Sequence, residues 1–148
     1  MTKAFLPHLH GRAEAHIANV SSMGGFLPVP GQTVYGASKA AVKLFTEGLR
    51  SELLETNIRV TIIFPGAIGT NIAANSGLDM GARAEGDDSA PAMTPLAVDK
   101  AAGIILDGIE SNQYRVLVGS DARLMDFLYR VAPKFAANLI FKQMKSLL

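Results

Sequence analysis

The stretch "TVYGASK", residues 33 to 39, places a phenol and an ammonium four positions apart, at Tyr35 and Lys39. On a helix that spacing puts both side chains on one face. A free phenol is a poor base at neutral pH. A nearby ammonium favours the phenolate. The pair therefore suits moving a proton on or off an alcohol oxygen. Ser22 closes a β-rich run 13 positions before Tyr35 (35 − 22) and could hydrogen-bond the same oxygen. Gly36, Ala37 and Ser38 are small and leave room for a bulky cofactor to approach the backbone. Taken singly these are ordinary residues, since a Tyr and a Lys four apart are common on helices. The combination carries the weight: "NVSS", a Gly-rich loop, Y-x-x-x-K opening a helix, and a strand ending in "PG" ahead of Thr70.

The elements that must position these groups can be read along the chain. Residues 1 to 10 read as the tail of a helix, closed by Gly11 as a C′ glycine. "AHIANVSS", 15 to 22, reads as a strand, and "MGGFLPVPGQ", 23 to 32, as a loop. A helix follows from about Val34 to Leu54, with Ala41, Leu44, Phe45, Leu49 and Leu53 recurring at helical steps. "NIRVTIIFPG", 57 to 66, is nearly continuously apolar, the pattern of a strand buried on both faces of a parallel sheet. Residues 67 to 95 lack periodicity and form a long irregular segment of the kind tied to function. A helix spans about Pro95 to Ser111 with Ala97, Ala101, Ile104, Ile105 and Ile109 inward. "YRVLVG", 114 to 119, is a third strand, Asp121 caps the next helix, and a terminal helix follows Pro133. Strands alternating with helices predict a parallel sheet with right-handed crossovers. Ligands of such sheets bind beyond the carboxyl ends of the strands. No linker divides the chain, so residues 1–148 read as a single domain.

Bulk composition narrows the function classes. Apolar residues make up 49% and charged residues 18%, enough for a packed core, and the net charge of +1 offers no basic field for nucleic acid. Cysteine is absent, which excludes disulfides and thiolate metal sites and is compatible with a cytoplasmic setting. His8, His10 and His16 read as surface residues, not as a metal site. "MTKAFLPHLHGR" lacks the apolar core of a signal peptide. No apolar run approaches the ~20 residues of a membrane span.

These residues resemble the short-chain dehydrogenase/reductase family, from "TKAFLPHL" to "YRVLVG". The family's Y-x-x-x-K appears as "YGASK", its P-G-x-x-x-T as "PGAIGT", and its strand-end serine matches Ser22 at the customary gap. The resemblance implies an α/β fold, a partial Rossmann-like doubly wound parallel sheet of three strands with flanking helices. It implies an oxidoreductase that moves a hydride between NAD or NADP and a small-molecule alcohol or ketone. Tyr35 would be the general acid or base. Lys39 would favour the phenolate and hold the nicotinamide ribose hydroxyls. Ser22 would orient the substrate carbonyl. Pro65, Gly66 and Ile68 would lie along the nicotinamide, and Thr70 would bond its carboxamide or a cofactor phosphate. Gly24, Phe26 and Ile72 would line the substrate side, with Leu78, Met80 and Met93 adding apolar contacts. Ser21 would act through its backbone. A homo-oligomer through the helix 34–54 is implied as well.

The family's first half has no counterpart in these residues. Neither T-G-x-x-x-G-x-G nor G-x-G-x-x-G occurs, and "GLDMG" at 77 to 81 follows no strand. The strand "AHIANV" is thereby expected to present an unpaired edge. The sequence is read as a truncated fragment of an ordinary enzyme, with a half-protein completed by a partner chain as the other explanation. The competing function is a non-catalytic remnant serving as a dimerisation module. The C-terminal segment, with Phe135, Leu139, Ile140, Phe141 and Met144 among Lys134, Lys142 and Lys145, could lie on a membrane surface. Packing on the body or on another subunit is the preferred reading.

Overall fold

The apolar run at the middle of the chain becomes the centre of the structure. A computed structural model describes residues 1–71, 75 and 94–145. In it β2 (Ile58–Pro65) is buried on both faces, with Ile58, Val60, Ile62 and Phe64 alternating with Thr61 and Ile63. β1 (Ala15–Val20) and β3 (Arg115–Val118) flank it, both parallel, in the order β1-β2-β3. Register runs from Ala15 opposite Ile58 to Val20 opposite Ile63, and from Ile62 opposite Arg115 to Pro65 opposite Val118. The outer edge of β1 has no strand partner among the described residues, and Val20 is 50% exposed. The edge expected from the sequence is present.

Two helices cover opposite faces of this sheet. α2 (Thr33–Glu52) packs Leu49 and Leu53 on Ala15, Ile58 and Val60, with Leu6 and Leu9 of α1 (Thr2–His10) alongside. α3 (Val98–Glu110) packs Ala101, Ile104 and Ile105 on Ile63, Val116 and Val118. The close fit of α3 depends on Gly108, where a β-carbon would collide with Val116. α4 (Ser120–Val131) and α5 (Pro133–Met144) form a pair that closes on the 3-10 turn Met23–Gly25 through Leu27, Met125, Ala136 and Ile140. Pro133 opens α5, where its missing N–H costs nothing.

This arrangement fixes a point of topology. The strand order advances in one direction while α2 and α3 lie on opposite faces. The two crossovers therefore have opposite hands, and one departs from the right-handed rule expected from the sequence. The rule rests on short connections. The β2–α3 connection, residues 66–97, is long enough to escape it. Because the chain leaves β1 towards one face and β2 towards the other, a crevice opens at their carboxyl ends. Such switch points are where ligands bind in open α/β sheets.

Several local expectations need correction. Gly11 follows α1 at φ −80°, so no left-handed cap forms. In α2, Leu49 and Leu53 face the sheet, but Leu44 is 70% and Phe45 53% exposed, Ala41 is also exposed, and Thr46 is buried instead. Thr46 can go inside because its hydroxyl donates to Val42 O at 2.7 Å and accepts from Asn19 Nδ2 at 2.9 Å. Ala97 is exposed and precedes α3. His16 is half-buried and bonds Thr61 Oγ1 through Nε2 at 2.8 Å, whereas His8 and His10 are exposed. Gly119, not Asp121, stands at the N-cap of α4. In the terminal helix Ile140 is buried and Leu139 and Met144 pack on the same cluster, while Phe135 and Phe141 face out. No helix among the described residues is long and apolar enough to cross a membrane.

Candidate active site

The carboxyl end of β1 runs directly into the site. Ser21 N donates to Ile63 O at 2.8 Å, continuing the ladder one residue past the strand. Ser22 is extended and begins the 3-10 turn, its Oγ accepting the Gly24 N–H at 3.2 Å. That bond uses the oxygen as an acceptor, so the Ser22 O–H stays free to donate. The chain then enters α2 through Val29-Pro30-Gly31-Gln32, where Gln32 N donates to Val29 O at 3.2 Å and Gly31 sits at φ 73°. Proline second and a left-handed glycine third are the requirements of a type II turn. The turn aims the first turn of α2 back over the strand end.

Three contacts hold α2 there. Ser21 Oγ donates to Lys39 O at 2.8 Å. Asn19 reaches Thr46 a little further along. Gly36 lies so near the 3-10 turn that a β-carbon on it would stand 3.0 Å from Gly24 O. Small residues in "YGASK" and "SSMGG" are thus what lets helix and turn meet.

The result is a convergence around Gly24. A β-carbon on Gly24 would lie 3.3 Å from Tyr35 Cε1 and 3.7 Å from Ser22 Oγ. Ser22 and Tyr35 therefore flank the same small residue. The Lys39 ammonium is 5.7 Å from the centroid of the Tyr35 ring, within cation–π range. Among the described residues Lys39 has no carboxylate partner. Tyr35 is 45% exposed, accessible to a reacting molecule. Ser22, Gly24, Tyr35 and Lys39 thus lie together at the carboxyl end of β1.

The second half of the crevice is the loop after β2. Gly66 N donates to Val118 O at 2.9 Å, and Ala67 N–H donates to Asp121 Oδ2 at 2.6 Å. Ile68 forms a parallel bridge with Leu96, and its side chain packs into the cluster under α3. Thr70 is exposed, its N–H donating to Ile68 O at 2.8 Å. The Phe26 ring stacks edge-on against Phe64 at 5.4 Å between centroids and 70° between planes. Its larger share is spent on that packing. Ile72, Leu78, Met80 and Met93 lie outside the described residues.

Residues 1–81 match the short chain dehydrogenase family. The chain belongs to that family. Among relatives of this chain, SadH of Mycobacterium tuberculosis is 41% identical over 136 residues, covering 88% of this chain and 49% of SadH. Dehydrogenase/reductase SDR family member 7B of Rattus norvegicus is 35% identical over 149 residues, covering 99% of this chain and 44% of that protein. A short chain dehydrogenase from Burkholderia cenocepacia, solved in complex with NADP, superposes with a TM-score of 0.76 at 26% identity. That superposition covers 95% of this chain and 52% of the other. The chain spans about half the length of the relatives it matches.

Two features of this candidate site escaped the sequence. Ser21 does more than extend the strand, because its hydroxyl ties the strand end to α2 at Lys39. The signal was the doubled serine ahead of two glycines, since Gly25 leaves the space Ser21 needs. Asp121 is buried and bonds the loop after β2 from the other side of the sheet's end. Glycines at 66 and 119, both against its carboxylate, were the available hint.

Proposed function

We propose that this chain carries the proton-transfer half of an NAD- or NADP-dependent oxidoreductase interconverting an alcohol and a ketone. The observation that carries the reading is the convergence of Ser22 and Tyr35 on Gly24, with Lys39 over the phenol ring. The residues at the strand ends fit the nicotinamide end of the cofactor. Lys39, unpaired with any described carboxylate, is available to ribose hydroxyls, and the exposed residues Ala67, Gly69 and Thr70 of the loop after β2 are available to the carboxamide end. Bound there, the nicotinamide supplies or accepts the hydride. Ser22 donates a hydrogen bond to the substrate oxygen and fixes its position. Tyr35 passes its proton to that oxygen during reduction and takes it back during oxidation, with the Lys39 ammonium beside its ring. Gly24 leaves the space that the substrate carbon needs beside the ring.

Neither T-G-x-x-x-G-x-G nor G-x-G-x-x-G occurs in these residues, so in this reading the cofactor's pyrophosphate is held by other groups. The exposed stripe of α2, Val34, Ala37, Ala41, Leu44 and Phe45, supports a homo-oligomer through that helix. Titration of residues 1–148 with NADH and NADPH, read by nicotinamide fluorescence, tests the reading, followed by a ketone screen. Saturable binding and turnover are expected, with Tyr35→Phe keeping the binding and losing about 10²–10⁴ in rate. Absence of binding in a folded sample, or full turnover by Tyr35→Phe, would count against it.

A further inference from the structure

Asp121 is the second residue of α4, yet its carboxylate leaves its own helix and reaches the loop after β2. It is 7% exposed. Its Oδ2 accepts the Ala67 N–H at 2.6 Å, and no cationic side chain among the described residues pairs with it. The surroundings are shaped to admit it. A β-carbon at Gly66 would collide with the carboxylate, and so would one at Gly119, which sits at φ 110° where side chains are strained. Gly66 N is bonded to Val118 O, one residue before Gly119. The loop Gly66–Thr70 is therefore stitched to the end of β3 by one backbone bond and one carboxylate bond. An anionic acceptor makes the second the stronger of the two.

We infer that Asp121 is a positioning residue that sets the conformation of the Gly66–Thr70 backbone, and through it the seat of the nicotinamide. The second clause rests on the function proposed above, whereas the first stands on this geometry alone. Asp121 touches neither Tyr35 nor Lys39 in the described contacts, so its effect is on the cofactor side and not on proton transfer. A neutral acceptor of the same shape should keep most of the hold, since Asn Oδ1 can still accept from Ala67.

The test compares wild type, Asp121→Asn and Asp121→Ala by ¹⁵N-resolved NMR of the loop amides and by NADH and NADPH titration. In Asp121→Ala, exchange protection of the Ala67 amide is expected to fall about tenfold or more, the size of a charge-assisted bond. The Gly66–Thr70 resonances shift with it, and nicotinamide affinity falls about tenfold while Asp121→Asn stays within about threefold of wild type. A residue that only caps α4 would lower the melting temperature without moving the loop. An unchanged Ala67 amide in Asp121→Ala overturns the inference, as does a displaced loop with undiminished nicotinamide affinity. Should wild type bind neither nucleotide, the function proposed above fails for this chain, and the Ala67 amide alone decides the role of Asp121. Should Asp121→Ala not fold, Asp121→Asn decides. A shift of the Gly66–Thr70 amide resonances in that variant supports the inference, and unmoved resonances overturn it.

Discussion

Replacing Gly25 by alanine should loosen α2 from the strand end. The new β-carbon would stand 2.6 Å from Ser21 Oγ, 2.9 Å from Lys39 O and 3.0 Å from Lys39 C. Ser21 could turn away, but only by giving up its 2.8 Å bond to Lys39 O. The two Lys39 atoms belong to helix backbone and can move only if α2 moves. Overpacking of this kind costs roughly 1–3 kcal/mol, and the lost hydrogen bond adds about 1 kcal/mol. Together they give about 2–4 kcal/mol, a large share of a typical total stability. For a chain of this size that lowers the melting temperature by roughly 5–15 °C. Thermal unfolding followed by circular dichroism reads it, with Ser21→Ala and the double variant alongside. Ser21→Ala alone is expected to cost about 1 kcal/mol. The double variant should recover only part of the Gly25→Ala loss, because the Lys39 backbone still blocks the β-carbon. A Gly25→Ala protein melting within about 2 °C of wild type would refute the argument. So would complete recovery in the double variant, which would place the whole constraint on the serine hydroxyl.

Two further outcomes follow from the described geometry. Burial, then Arg50 and to a smaller extent Arg59, hold His16 below the usual histidine range against the opposing pull of Glu14. The fold thus favours the neutral ring, so this stability is complete above the unfolded value of about 6.5 and declines as pH falls through it and through the lower folded value. Urea midpoints at pH 8 and pH 5 should diverge more for wild type than for His16→Gln, and parallel losses would count against the reasoning. Gly48 and Gly103 lie within helices, and a methyl group added at either would meet nothing within 4 Å among the described residues. Alanine at either should add about 0.5–1 kcal/mol, seen as a higher melting temperature. Destabilisation by Gly48→Ala would indicate that the outward face of α2 is covered in solution.

The grouping of the candidate site was legible because it is encoded at short range. Ser22, Tyr35 and Lys39 fall within one strand–turn–helix passage, so sequence spacing nearly fixes their spatial relation. The parallel sheet was legible too, since Val60, Ile62, Ile63 and Phe64 are apolar without alternation. What stayed hidden depends on partners distant in the chain. In α2 periodicity put Ala41, Leu44 and Phe45 on the stripe with Leu49 and Leu53, whereas Thr46 is the residue buried beside Leu49. The bond from Asn19 on β1, with the one to Val42 O, satisfies the buried threonine. Asp121 has the spacing of a helix cap, and its true acceptor role appears only when the loop at Ala67 is folded beside it. The hand of a crossover has no local signature at all when its connection is long.

The two crossovers also divide the contents of the chain. Strands β1 and β2 with α2 between them form a contiguous unit that already contains Ser22, Tyr35 and Lys39. Paired residues stand 43 apart between β1 and β2 (58 − 15) and 53 apart between β2 and β3 (115 − 62), so closing the second pairing costs only about 0.2 kcal/mol more. Loop entropy therefore sets no order between the two pairings. Changes of length in the second connection fall outside the unit that groups those three side chains.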